Sequence, residues 1–253
     1  MIKIDNLKIQ YSTGQIFHVS DISFKEGEIS SIIGKNGSGK TTVLRALAGL
    51  SRYKGSITLD GRETRDYKGR ERARHVAYLP QVLSNVNMDV LTLVEHGRYP
   101  YHGNFRRMSG EDRDKVERAL ELTSMTEFRN RNVKELSGGE RQRAYLAVII
   151  AQDAPMILLD EPTTYMDLKA QGMFFDILKR LACEGHGVVM TMHDLEQCFR
   201  TSDRICLMDK GCLLRHGTAD EIAGEEEHLR ALFGVSVRKS EDDELLYPYV
   251  MVK

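Results

Sequence analysis

No apolar run in this chain of 253 residues approaches the roughly 20 consecutive residues that a membrane-spanning helix needs. The longest, such as Ala144 to Ala151, fall well short, so the chain is not expected to cross a bilayer. Charge of one sign is also lacking, with 36 Lys plus Arg against 37 Asp plus Glu. That balance gives no global positive field for nucleic acid and no acidic excess for disorder. Cysteine is scarce: Cys183, Cys198, Cys206 and Cys212 form no C-x-x-C pair and lie in ordinary helix-like or strand-like segments, which suits a reducing compartment. Met1 to Asp5 alternates apolar and polar residues instead of showing a basic segment followed by a long apolar one, so no export signal is read and the cytoplasm is the expected location. There is no internal repeat and no low-complexity linker. The length suits one large α/β domain, or one with a subdomain inserted.

Alternating segments at Ile2 to Ile9, Phe17 to Phe24 and Ser56 to Leu59 predict an antiparallel β subdomain near the N-terminus, punctuated by Gly14, Gly27 and Gly55. Short apolar runs at Ile29 to Ile33, Val76 to Leu79, Ile157 to Leu159 and Val188 to Thr191 alternate with helical stretches, the pattern of a mainly parallel central sheet. From about residue 85 to 150 the apolar spacing turns helical, with Val116, Ala119 and Leu120 on one face and Ser109 with Asp112 placed as a capping pair. This predicts an inserted helical subdomain. A helix from Ala219 to about Phe233 and a terminal hairpin over about 235–253 complete the chain, which is read as one domain. Glu225 to Glu227 reads as a solvated helix face.

The strongest chemistry lies in Gly34-Lys35-Asn36-Gly37-Ser38-Gly39-Lys40-Thr41, followed by Thr42, after an apolar strand and before a helix. It fits G-x-x-x-x-G-K-[ST], the P-loop, whose glycines let successive backbone N–H groups face phosphate oxygens while the helix adds its positive N-terminal end. In that pattern Lys40 reaches the β and γ phosphates of ATP and the Thr41 hydroxyl binds Mg²⁺. A second segment, Leu136-Ser137-Gly138-Gly139-Glu140, places a hydroxyl and two glycines at another helix start, again suited to an anion. Two such helix starts with one P-loop lysine are not obviously used by a single nucleotide site within one chain.

Leu136 to Glu140, followed by Arg141-Gln142-Arg143, resembles the signature of the ATP-binding cassette family, and the resemblance extends over nearly the whole chain. It implies a P-loop NTPase core and ATP hydrolysis. It also implies that two copies pair head to tail on binding ATP, so that Ser137, Gly138 and Gly139 of one complete the site of the other. Met156 to Leu159 is an apolar strand ending in Asp160 and Glu161, at the strand end where ligands of open α/β sheets sit. Asp160 would hold the Mg²⁺ shell, and Glu161 would orient and deprotonate the attacking water. By the same resemblance, His193 contacts the γ phosphate, Gln81 binds Mg²⁺ and senses the transport partner, Tyr11 stacks on adenine, and Asp167 is the aspartate of the loop after the acidic pair. Tyr165 departs from the small residue usual before that aspartate.

Glu95 to Tyr101, Asp160 to Asp167 and Leu229 to Val235 resemble the ATPases of ferric-siderophore, haem and cobalamin importers, with siderophore foremost. That implies integral membrane permease subunits, an extracytoplasmic binding protein acting through them, a peripheral place on the inner membrane face, and no nucleic acid. Arg98 to Tyr101 would then belong to the surface that docks the permease. The alternative is a non-transport cassette of the iron–sulfur assembly type with soluble partners. A DNA-repair or translation cassette would need a long coiled-coil insertion or a second cassette, and the chain between Lys40 and Leu136 has room for neither.

Overall fold

Ile2 and Ile4 point into the core from even positions, Leu7 and Ile9 from odd ones, and the slip between them is absorbed at Asn6, whose φ is 49°. The register of the first strand against its neighbour shifts between Asp5 and Lys8, a bulge that keeps all four side chains inward. Gly55 lies opposite: a Cβ there would meet the Asn6 carbonyl oxygen at 2.2 Å. The computed structural model describes residues 1–10, 16–19, 21–102, 108–164, 166–239 and 249–252.

In chain order the elements begin with β1 (Ile2–Gln10), β2 (Ile16–Val19), β3 (Ile22–Phe24), β4 (Ile29–Gly34), α1 (Lys40–Leu47), β5 (Lys54–Leu59) and β6 (Arg62–Glu63). They continue with α2 (Gly69–Ala73), β7 (Val76–Leu79), α3 (Val90–Glu95), α4 (Gly110–Leu122), α5 (Gly138–Gln152), β8 (Met156–Asp160), α6 (Leu168–Cys183) and β9 (Gly187–Met192). The last third holds α7 (Leu195–Thr201), β10 (Arg204–Asp209), β11 (Cys212–Thr218), α8 (Ala219–Ala223), α9 (Glu226–Phe233), β12 (Ser236–Lys239) and β13 (Tyr249–Val252).

Strands β10, β4, β9, β8 and β7 lie side by side and parallel. β11 returns antiparallel beside β10 and meets β2 at Cys212 and His18, so among the described residues the antiparallel N-terminal strands and the parallel core form one eleven-stranded sheet. The parallel strands are mostly apolar and almost wholly buried because both faces are covered. Ile33, Leu79, Ile157, Leu159, Met190 and Leu207 enter a core shared with the helices from α3 onward. Ile32, Leu158, Val189 and Met208 join Val43, Leu44 and Leu47 of α1 and the inner side chains of β1 and β5 in a second core. Helix α1 is therefore clamped between the parallel strands and the antiparallel ones, which fixes the loop at its start.

Helices α3, α4 and α5 pack on one another, and α5 also touches β7. Ser109 and Asp112 cap each other at the start of α4. Arg98, expected at the surface with Tyr99 to Tyr101, is instead only 4% exposed. Its guanidinium donates to Asp112 Oδ1 and to the Ala151 carbonyl, each at 2.9 Å, and lies over the Tyr101 ring. Tyr99 is the exposed member of that segment.

The helix expected from Ala219 to Phe233 is two helices. A box between Thr218 and Glu221 starts α8, Gly224 ends it, and α9 begins two residues later. β12 and β13 pair antiparallel, with β12 against α8 and α9 and β13 against α7, and the residues joining the two strands lie outside the described ones. Among the described residues no helix is long and apolar enough to cross a membrane.

Candidate functional site

The loop from β4 to α1 is shaped by close approach and by left-handed backbone. A Cβ on Gly34 would lie 2.2 Å from the Met208 carbonyl oxygen, and Gly37 and Gly39 have φ of 78° and 100°. Only glycine meets these demands without strain. α1 starts at Lys40 with no side-chain cap, so its first amides are not satisfied by a capping oxygen. Ser38 is buried, and among the described residues its hydroxyl has no hydrogen-bond partner. Lys35 and Asn36 are exposed at the loop's outer turn, and Lys35 reaches the Ala231 carbonyl. An orphaned buried hydroxyl, an uncapped helix start and the buried Lys40 ammonium are what an anion would satisfy.

Lys40 is 5% exposed, and its Nζ donates to the carbonyls of Gly34 at 2.9 Å and Lys35 at 3.3 Å. Burial lowers its pKa below the usual lysine value, while the charges of Glu161 and Asp160 work in the opposite direction. Thr41 donates its hydroxyl to Asp160 Oδ1 at 2.9 Å, which ties the loop to the end of β8. Thr42 is buried within the first turn of α1.

Asp160 is 2% exposed and takes a second hydrogen bond from the Thr191 hydroxyl at 2.7 Å. Thr191, which sequence reasoning did not single out, also accepts the Glu161 amide at 2.9 Å. It therefore sets the spacing of both carboxylates from the neighbouring strand, and its only signal in the sequence is a hydroxyl near the end of an apolar run. Burial, with the nearby Asp160 charge, pushes the Tyr78 hydroxyl up to about 12, so it stays protonated.

Glu161 turns out of the strand with φ of 47°. One carboxylate oxygen accepts the Gln81 side-chain amide at 2.5 Å, and the other makes a short contact with His193 Nε2. Thr164 closes the turn by donating to the Glu161 carbonyl at 2.9 Å. Thus Gln81 after β7, the acidic pair at the end of β8 and His193 after β9 meet beside the loop after β4, all at the carboxyl ends of adjacent parallel strands. The oxygens of Thr41, Asp160 and the Gln81 amide are hard donors of the type Mg²⁺ takes, and the residues present fit that ion.

Ser137 and Asp167 are placed differently. Ser137 is exposed and caps α5, its backbone N–H donating to Glu140 Oε2 at 2.7 Å and its hydroxyl accepting the Glu140 N–H at 3.3 Å. The hydrogen bond from the Ser137 N–H holds the Glu140 carboxyl below its usual pKa. Gly138 and Gly139 form the first turn, half exposed. Asp167 caps α6 by accepting the Ala170 N–H at 2.8 Å. These hydrogen bonds stay within their own helix starts. Tyr11 and Tyr165 lie outside the described residues.

Comparison with known proteins matches residues 17–164 to the family model described as ABC transporter. The chain is similar to a petrobactin import ATP-binding protein of Bacillus anthracis, 37% identical over 95% of this chain and 89% of that one. An iron(3+)-hydroxamate import ATP-binding protein of Bacillus subtilis is 36% identical over 87% of this chain and 83% of its own length. Among solved structures, an inward-facing conformation of a metal-chelate type ABC transporter aligns with a TM-score of 0.82 at 27% identity, covering 99% of this chain and 95% of that one. A dimeric post-hydrolysis state of an ATP-binding cassette holding ADP and Pi aligns at 0.76 and 30% identity, covering 87% and 99%.

Proposed function

From the premise that the chain belongs to the ABC transporter family and is an ATPase subunit of the import type, we propose that it powers uptake of an iron–siderophore-type chelate through a separate membrane permease. The cargo class is supported by relatives whose names specify petrobactin and iron(3+)-hydroxamate import, and by the likeness to a metal-chelate type transporter. In this reading the whole chain is one nucleotide-binding domain with a helical insertion at about 85–150. It sits on the inner face of the membrane through the permease, and an extracytoplasmic binding protein delivers the cargo.

The observation that carries the ATPase chemistry is the network Thr41–Asp160–Thr191 and Gln81–Glu161–His193 beside the loop. Residues Gly34 to Thr42 grip the phosphates of ATP, with Lys40 as the fixed cation, and Tyr11 faces adenine. Thr41, Asp160 and Gln81 hold Mg²⁺, which when bound neutralises charge on the β and γ phosphates. Glu161 is the general base. Its carboxylate is steadied by Gln81 on one side and His193 on the other, so it can take a proton from a water in line with the γ phosphate without first reorganising. The exposed Ser137, Gly138 and Gly139, with Asp167, complete the site of a second copy in a head-to-tail dimer.

A positioned base contributes about 10²- to 10⁴-fold. Glu161→Gln should therefore lower phosphate release at saturating ATP by that factor and leave ATP affinity within about threefold; a variant that still turns over at a tenth of the parent rate would remove Glu161 from the role. For transport, affinity capture of the tagged chain from membranes should bring down a polytopic membrane protein. Recovery with soluble scaffold proteins alone would favour the non-transport reading.

A further inference from the structure

Beyond the C-terminal end of α1 lies a cavity of about 390 Å³ lined by Gly49, Ser51, Arg52, Tyr53, Arg65 and Arg72. Its size falls in the roughly 300–1,000 Å³ range of small-molecule sites. None of these residues belongs to the nucleotide network. The loop opens at the other end of α1, and a helix of this length spans about 12 Å. The chain as a whole carries a formal charge of −1, yet three guanidinium groups converge here.

The cavity's own contacts do not cancel that charge. Arg65 pairs with Glu63 at 3.1 Å and stacks over the Tyr53 ring at 4.9 Å, and the Tyr53 hydroxyl is fixed on Thr64 at 2.7 Å. The guanidinium groups of Arg52 and Arg72 have no hydrogen-bond or ion-pair partner among the described residues. Arg72 is positioned by a glycine instead. Gly49 has φ of 67°, and a Cβ on it would lie 2.7 Å from Arg72 Nη1, so the guanidinium rests on bare backbone just past the end of α1. The carbonyls at a helix C-terminus favour a cation there. The group is thereby held in place while its N–H donors stay available.

We propose that this cavity is a second anion site, built for a phosphate group and distinct from the nucleotide loop. Planar guanidinium forks match phosphate oxygens in pairs. With Glu63 offsetting Arg65, the charges of Arg52 and Arg72 balance a phosphate dianion, and the Ser51 hydroxyl and the Tyr53 ring leave room for a small organic substituent. The phosphate comes either from a free anion or phosphomonoester, or from an anionic lipid headgroup.

The test uses the full chain with its loop saturated by a non-hydrolysable ATP analogue. One arm titrates inorganic phosphate by equilibrium dialysis. The other measures co-sedimentation with phosphatidylcholine vesicles with and without phosphatidylglycerol. Saturable binding is expected in at least one arm, the arm identifying the source, and it should weaken at least about tenfold in Arg52→Gln and in Arg72→Gln. Because Arg52 is exposed and unpartnered, Arg52→Gln should keep the parent ATP turnover, which controls for folding. No saturable binding in either arm, or binding that both substitutions leave within about twofold, would overturn the proposal.

Discussion

The start of α1 and the start of α5 are both glycine-bearing turns that feed a helix, but their surroundings differ. At α1 the polar groups are buried and tied together from three neighbouring strands: Lys40 to loop carbonyls, Thr41 to Asp160, and Asp160 to Thr191. At α5 the serine is exposed and bonded only to its own first turn through Glu140. One helix start is assembled within the chain, whereas the other is presented outward. The polar groups of the first helix start are organised within one copy, whereas those of the second are turned to solvent, as the proposed head-to-tail pairing requires.

The largest effect should come from changing the charge at the start of α5 without disturbing its cap. Aspartate caps a helix about as well as serine, so Ser137→Asp should leave thermal stability nearly unchanged. It should cut ATP turnover by about 10²-fold, in the range seen for loss of a preorganised anion donor, since in the proposed dimer the new carboxylate would face the partner's phosphates. Unchanged turnover would reduce Ser137 to a cap. A second, smaller effect should come from acid. Burial alone would raise the Asp112 pKa, but hydrogen bonds from Ser109 and Arg98 outweigh it and hold the carboxyl at about 2. A depressed carboxyl contributes stability above its unfolded pKa and loses it as pH falls through the folded one. The helical layer that carries α5 should therefore lose about 2 kcal/mol between about pH 4 and pH 2, read from urea midpoints, and Asp112→Asn should flatten that slope. Smallest is Ser137→Ala, which should lower stability by about 1 kcal/mol through loss of the cap, measurable by chemical denaturation of the nucleotide-free chain.

Much of the inward-facing site was legible in the sequence because its parts are local: a glycine loop between a strand and a helix, and two carboxylates ending an apolar strand. The features that were not legible depend on partners far along the chain. Arg98 looked like a loop residue because arginine is seldom buried, and its partner Asp112 had already been accounted for as a cap. Thr191 gives no signal until β9 is set beside β8. The continuity of the sheet rests on β10 and β11, which pair with β4 and with β2, and periodicity does not name a strand's neighbours. The division at Gly224 was missed because the apolar pattern runs on from Ile222 to Leu229 across it. Tyr11 lies outside the described residues, so its placement against adenine rests on resemblance.

In the proposed dimer, the exposed start of α5 completes the nucleotide site of a second copy. Sedimentation velocity of the Glu161→Gln chain with MgATP tests it most directly, since blocked hydrolysis should hold the closed state. The chain should be a dimer with ATP, a monomer without it, and a monomer in the Glu161→Gln, Ser137→Asp double variant even with ATP bound. A Glu161→Gln chain that binds ATP and stays monomeric, or a double variant that dimerises as well as the single one, would contradict it.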